Sequence, residues 1–353
     1  MKEIIITGYY GKKNFGDDLF MHVTKAKIES LGEYKVSILE KYQEDFGRVN
    51  KVLSLINAIY KLLKVKEVVI AGGSLFEKYP GIFTIDYWIY MLCKVGILRV
   101  QCIGVSIGPF SDINSELGYL KFFRKCTYIA LRDEQSYLLS LKLKLSNTVL
   151  SSDLAFTEQI KDLICNDDKI FAKQKLLGVC LCGYERYHNL DIQCEKLRLE
   201  QINTLIKNFP DHEVVFLLAN GNNINGDRQI TEEFIRSYGY GDSDIVDYKD
   251  AGEFLCDVSK CDLVISIRLH GFVAGIMQGI KSILVEYHRK SHDMLDDLGV
   301  PIDCRFSTLC VNQCAIKQFL NHNFEEIYPK LSSLIGKSSI NFDKLSKGLF
   351  SNV

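Results

Sequence analysis

CDLVISIRLHGFVAGIMQGI, Cys261–Ile280, passes from one kind of hydrophobic pattern straight into another. CDLVISI reads as a buried strand, and GFVAGIMQGI carries small and apolar residues at helical spacing. Arg268 and His270 therefore stand at a strand-to-helix junction, where Gly271 is expected to let the chain turn. In an open parallel sheet, ligands bind in the crevice beyond the carboxyl ends of the strands. A guanidinium and an imidazole placed there point to a binding site.

On either side of this stretch, strand-like runs alternate with amphipathic ones along the chain. The first half offers EIIIT, YKVSIL, EVVIA, VQCIGVS and TYIAL; the second offers LLGVCLC, EVVFLLA, DIVDY, DLVISI and SILVEY. Such alternation predicts parallel sheets covered by helices. The expected architecture is α/β, with two Rossmann-like domains facing a cleft. The predicted domains are residues 1–165 and 174–312, joined near TEQIKDLICNDDKIFAKQK, with C-terminal helices and a tail over 313–353. No low-complexity segment or short-period repeat interrupts them.

A chain of 353 residues exceeds what one hydrophobic core usually serves, in keeping with two domains. Its 47% hydrophobic and 25% charged content excludes the disordered and fibrous classes. A formal net charge of -1 argues against a nucleic-acid partner, which demands an excess of lysine and arginine. The twelve cysteines form no CxxC pair, so neither a zinc ribbon nor a thioredoxin-like motif is expected. Cys180 and Cys182 fall on one face of a strand, as small buried hydrophobes. So many unpaired thiols suit a reducing compartment, and cytoplasm is the expected location. MKEIIITGYYG enters a strand at once and lacks the pattern of a secretory signal. The region from Gly81 to Phe110 is the most lipid-like, but Asp86, Lys94 and Arg99 break it. It leaves room for peripheral membrane contact through its aromatics, at the inner face of the membrane.

Further motifs sit where strands end. In TGYYGKKNFGDDLF, Thr7–Phe20, Gly8, Gly11 and Gly16 permit tight turns, while Asn14 and Asp17 suit the cap of a following helix. The lysine-serine end of a P-loop is missing and the G-x-G-x-x-G spacing is not met, so dinucleotide binding is not expected. The adjacent acids Asp17 and Asp18 exceed what a cap requires. In VVIAGGSLFEK, Gly72, Gly73 and Ser74 suit an anion held at a helix start. In YIALRDEQS, Arg132 follows a strand; Asp133 is a ready cap and a local partner for it. Asp153 in SSDLAF suits a turn. His288 and His292 stand four apart, the spacing of two metal ligands on a helix, but no third ligand accompanies them and no metal is expected. Glu286 and Asp293 beside them suit a ribose clamp for a sugar nucleotide.

Gly8, Gly72, Arg132, Arg268 and His270 are thus expected at one cleft. Arginine forks bind carboxylate and phosphate in two-pronged fashion, so a small substrate with more than one anionic group fits. Histidine adds proton exchange near neutral pH.

At these residues the sequence resembles the polysaccharide pyruvyl transferase family. GYYGKKNFGDDL, AGGSLF, SIGPF, LRDEQS, SSDLAF and, above all, SIRLHGFVAGIMQGIKSILVEYHRKSHDMLDDLG carry the resemblance over most of the chain. It implies a GT-B-like architecture and transfer of a pyruvyl group from phosphoenolpyruvate to a sugar of a cell-surface glycan precursor, lipid-linked or nucleotide-linked, usually as a ketal. It also implies that Arg268 and His270 are the substrate-binding and catalytic pair, that Leu269 contributes its backbone, and that Asp17 and Asp18 occupy the family's acid position. Arg132 is the candidate second arginine. Ala71 departs from the pattern, since many members carry a third glycine there. The chemistry so implied calls on no cofactor, neither metal nor nicotinamide. Two alternatives stay open: a GT-B glycosyltransferase using a nucleotide sugar, and a non-catalytic glycan-binding protein of the same fold.

Overall fold

The computed structural model describes residues 2–39, 48–163, 175–188, 190–307 and 313–346. The chain divides into two compact units. One comprises Met1–Gly11, Asp17–Thr157 and Leu334–Val353; the other comprises Lys12–Gly16 and Glu158–Ser333. The expected join lies in part at 164–174, and the expected limit of the second domain at 312; both fall outside the described residues.

The first unit is built from β1 (Lys2–Thr7), α1 (Phe15–Ser30, whose first two residues group with the second unit), β2 (Tyr34–Ile38), α2 (Arg48–Val65), β3 (Glu67–Phe76), α3 (Ile85–Lys94), β4 (Arg99–Ile107), α4 (Ile113–Phe123), β5 (Tyr128–Leu131), α5 (Glu134–Lys142) and β6 (Thr148–Leu150). Its six strands pair in parallel in the order β2-β1-β3-β4-β5-β6. Strands covered on both faces are apolar without alternation, and Ile4, Ile5 and Ile6 of β1 are accordingly all buried. An aromatic cluster fills one side: Phe76 meets Phe123 edge-on at 5.0 Å and Tyr119 at 5.4 Å. The C-terminal residues belong here through Asn341, which accepts from the Gly104 amide at 2.7 Å and donates to the Ser152 carbonyl at 3.0 Å.

The second unit continues with α6 (Ile160–Leu163), β7 (Lys175–Cys180), α7 (Tyr184–His188), α8 (Ile192–Ile206), β8 (His212–Leu217), α9 (Arg228–Tyr238), β9 (Asp244–Val246), α10 (Ala251–Ser259), β10 (Leu263–Ser266), α11 (Leu269–Met277), β11 (Lys281–Glu286), α12 (Arg289–Leu298) and β12 (Phe306–Ser307), followed by α13 (Gln313–Asn321) and α14 (Phe324–Ile327). Its sheet is also parallel, in the order β12-β11-β10-β7-β8-β9.

Both strand orders reverse direction once, at β1/β3 and at β7/β10. The crevice at such a switch point is where open α/β sheets hold ligands. Gly8 and Gly72 stand at the first switch point, and Arg268 follows β10 at the second. Among the described residues no helix is long and apolar enough to cross a membrane.

Candidate active site

In the second unit, β10 ends at Ser266, whose hydroxyl donates to the Arg268 carbonyl at 2.6 Å and fixes the bend. Arg268 is extended (φ −69°, ψ 121°) and forms the N-cap of α11. Gly271 does not make the turn. It lies inside α11, where a Cβ would stand 2.8 Å from the Ser266 hydroxyl and 3.0 Å from the Cys180 sulfur, so glycine lets the helix lie on the strand ends.

Arg268 has a partner that sequence reading missed. Its Nε donates to both carboxylate oxygens of Asp227, at 3.0 and 3.1 Å, and its Nη2 donates to Asp227 Oδ1 as well. Asp227 is fully buried and also accepts the Asn220 amide at 2.9 Å. Burial pushes its carboxyl up, against the pull of Arg268. Burial is the largest single influence and would lower the guanidinium, but the charge and hydrogen bonding of Asp227, with smaller contributions from Cys182 and Tyr287, together outweigh it and hold Arg268 above its ordinary value. Two-pronged pairing of this kind is the geometry of an ionised pair. Among the described residues no protein acceptor bonds Nη1 of Arg268, and the side chain is 20% exposed. One edge of an immobilised guanidinium is thus open to a ligand.

The residues from Lys13 to Gly16 complete the place. The Phe15 amide donates to the Ala219 carbonyl at 2.9 Å, the Gly221 amide donates to the Lys13 carbonyl at 2.8 Å, and Asn14 bridges Asn220. The Phe15 ring is buried, 4.3 Å from that of Phe254. Asn14 caps α1 by accepting the Gly16 amide at 3.2 Å. The His270 imidazole lies against Gly16: a Cβ there would stand 2.0 Å from Nδ1. Asn14, Gly16, Arg268, Leu269, His270 and Tyr287 all line one open pocket of about 120 Å³. The Arg268 side chain makes no capping bond, so the first turn of α11 presents its Leu269 and Gly271 amides without a side-chain acceptor.

Tyr287, directly after β11, is the second residue that sequence reading left unassigned. Its ring is covered by the Arg198 guanidinium, 4.9 Å from the centroid, and edged by Tyr184 at 5.2 Å. Arg198 is itself buried and paired with Glu185. Burial raises the phenol well above its ordinary value, so it stays protonated and its O–H can donate. The nearby thiol of Cys182, pushed up to about 11 by burial, is no nucleophile at neutral pH.

The remaining candidates belong to the first unit. Arg132 donates from Nε to Ser106 at 2.8 Å, from Nη1 to Asp153 at 2.8 Å and from Nη2 to Ser74 at 3.1 Å. Its ion-pair partner is therefore Asp153, not the neighbouring Asp133, whose Oδ1 instead caps α5 at the Ser136 amide, 2.7 Å away. Asp153 also holds its own turn, accepting the Ala155 amide at 2.9 Å. Gly72, Gly73 and Ser74 are not at a helix start. The strand runs on to Phe76, shifting register after Gly73, and the next helix begins only at Ile85. An anion site on a helix N-terminus is absent at that point. Asp17 lies close to Gly73, Asp18 accepts the Gly11 amide at 3.2 Å, and Gly8 faces the Tyr10 ring, whose hydroxyl donates to the Ala71 carbonyl at 3.0 Å.

His288 and His292 do not act as a pair. His288 is the N-cap of α12 and accepts the Lys290 amide at Nδ1, whereas His292 bonds Glu286 through Nδ1 at 2.7 Å. Glu286 is held by that bond, and Asp293 lies 3.6 Å from Arg289. Among the described residues no group of three or more His, Cys, Asp and Glu side chains is placed to hold a metal ion.

Two parallel Rossmann-like sheets of six strands, each with candidate residues at a switch point, define a protein of the GT-B fold class. The same fold is found in Anabaena Alr3699/HepE in complex with UDP-glucose (TM-score 0.62, 10% identity, 100% of each chain covered). It recurs in UDP-GlcNAc 2-epimerase from Neisseria meningitidis bound to UDP-GlcNAc (0.60, 12%, 98% of this chain and 100% of that one). Sucrose-phosphate synthase from Thermosynechococcus elongatus is similar too (0.58, 10%, 99% and 100%). No curated protein matches the chain. Within this fold the chain belongs to the polysaccharide pyruvyl transferase family, whose profile matches residues 14–289.

Proposed function

We propose that the protein transfers a pyruvyl group from phosphoenolpyruvate to a sugar of a cell-surface polysaccharide precursor and closes a ketal. The observation that carries this reading is the Arg268 guanidinium, aligned by buried Asp227 with one edge left open beside His270. Family membership supplies the reaction class. Phosphoenolpyruvate carries a carboxylate and a phosphate. Nη1 of Arg268, the first-turn amides of α11 and the Tyr287 hydroxyl form a donor set suited to such a compact dianion.

In the proposed reaction His270 delivers a proton to the methylene carbon of the donor, and the adjacent carbon becomes an oxocarbenium. A sugar hydroxyl adds to that carbon and loses its proton to a carboxylate, for which the family resemblance suggests Asp17 or Asp18. The C–O bond to phosphate then breaks, phosphate leaving with a proton. A second sugar hydroxyl adds, loses its proton and closes the ketal. Two protons are taken up and two released, so the sum is donor plus diol giving ketal plus phosphate. Fixed donors aimed at developing charge lower the barrier without reorganisation.

The nucleotide-sugar alternative draws on HepE and the epimerase, bound to UDP-glucose and UDP-GlcNAc respectively. The carboxylates it would use here, Glu286 and Asp293, are engaged by His292 and Arg289. Thermal shift with phosphoenolpyruvate and with a panel of nucleotide sugars separates the readings, because a ligand at about 100 times its Kd stabilises by roughly 2.7 kcal/mol. Stabilisation by phosphoenolpyruvate, together with mass-spectrometric detection of a pyruvylated glycan precursor, is the expected result. Stabilisation by a nucleotide sugar alone overturns it.

A further inference from the structure

Helix α2 is apolar on more of its circumference than the core uses. Leu55, Ala58, Ile59, Leu62 and Val65 pack on the core of the first unit. At about 100° per residue, Val52, Leu53, Ile56, Tyr60 and Leu63 fall on an adjoining stripe roughly 100° wide. All five are exposed, from 41% at Leu63 to 69% at Tyr60. A helix that is apolar on both faces normally has a partner on both. α3 packs beside α2, and the turn that leads into it exposes Ile82 and, at 81%, Phe83.

Charge identifies the partner. The ionisable residues of α2 are Arg48, Lys51, Lys61 and Lys64, all basic, and Lys66 follows directly. In a chain of net charge -1, a helix with four cations and no anion is a local departure. A second copy of the chain docking through the same stripe would set these like charges against each other. An anionic bilayer surface meets both features, taking the apolar stripe at the acyl boundary and, among its headgroups, Lys64, which borders that stripe at the same spacing, and Lys61 beyond it. We propose that α2 is an interfacial helix that lays Val52, Leu53, Ile56, Tyr60 and Leu63 on an anionic lipid surface. It lies on the membrane and does not span it, since it is too charged to cross. The inference rests on the surface of the first unit alone and stands apart from the donor assignment.

Flotation of the full chain with phosphatidylcholine vesicles, with and without phosphatidylglycerol, tests it, with light scattering after size exclusion run in parallel. Expected is binding to the phosphatidylglycerol vesicles that high salt weakens. A Leu53→Gln, Ile56→Gln, Tyr60→Gln triple variant should bind about tenfold less, or weaker still. Lys61→Glu with Lys64→Glu should lose the preference for anionic lipid. Both variants should keep the wild-type Tm and the same thermal response to phosphoenolpyruvate, because the altered side chains lie outside the core and the pocket. Three results overturn the proposal: no vesicle binding by the wild type, unchanged binding by the triple variant, or a dimer that the triple variant dissociates.

Discussion

The backbone of Gly16 faces the imidazole of His270 so closely that a methyl group on it would stand 2.0 Å from Nδ1. The glycine has an ordinary φ, so its role is close approach and not a strained turn. Gly16→Ala would improve the helix propensity of α1 slightly, by up to about 1 kcal/mol. It would also push the imidazole from its place. A displacement near 1 Å at a reacting group costs roughly 100-fold in rate. Turnover is therefore expected to fall on that scale while the Tm stays within a few degrees. A variant with wild-type turnover would show that the imidazole position does not matter to the reaction.

The pairing of Arg268 with Asp227 sets a different expectation for Arg268→Lys. Lysine keeps the charge but gathers its donors on one nitrogen, so it lacks the planar fork that bonds the carboxylate along one edge and a ligand along another. Asp227→Asn leaves the guanidinium in place without its counter-charge. Breaking a buried pair costs on the order of 3–5 kcal/mol, about 10 °C in Tm for a unit of this size. Both variants should lose stability as well as donor affinity, read by calorimetry and by donor titration. Donor affinity lost by Arg268→Lys but retained by Asp227→Asn would mean that Asp227 does not align the guanidinium.

The strands are legible in the sequence because parallel strands covered on both faces are continuous apolar runs, and the residues just past them mark the switch points. Arg268 and His270 stand out in that way. Asp227 does not, for it sits in ANGNNINGDRQI, a polar run that reads as a turn, and its burial comes from a contact 41 residues away. The only local hint is an aspartate just ahead of the amphipathic α9. The grouping of Lys12–Gly16 with the second unit is equally hidden, since nothing in KKNFG indicates pairing with Ala219–Gly221. A two-residue strand such as β12 is too short for any periodicity to reveal.

His292 gives a pH signature. Its hydrogen bond to Glu286 raises the imidazole above its ordinary value near 6.5. A histidine whose folded value is raised contributes stability that is full below the unfolded value and is lost as pH rises through the folded one. The side chain is 57% exposed, so the effect is small. His292→Asn should lower the Tm by roughly 1–2 °C at pH 5.5 and leave it unchanged at pH 8.5. A difference that grows with pH would reverse the assignment.

His270 and Tyr287 line the same pocket, and the proposed chemistry gives them separable effects. His270→Gln keeps size and hydrogen bonding but cannot exchange protons, so kcat should fall by about 100-fold or more with donor affinity little changed. Tyr287→Phe keeps the ring under the Arg198 guanidinium and removes only the hydroxyl. A hydrogen bond to a charged group is worth about 1.5–3 kcal/mol, or roughly 10- to 100-fold in affinity. If the phenol holds the donor anion equally in ground and transition states, the loss appears in KM for phosphoenolpyruvate and not in kcat. The Tm should be unchanged, since among the described residues the hydroxyl has no protein hydrogen-bond partner for the variant to strand. Steady-state kinetics on both variants decide the matter. A kcat effect confined to Tyr287→Phe, with His270→Gln near normal, would move proton transfer from the imidazole to the phenol.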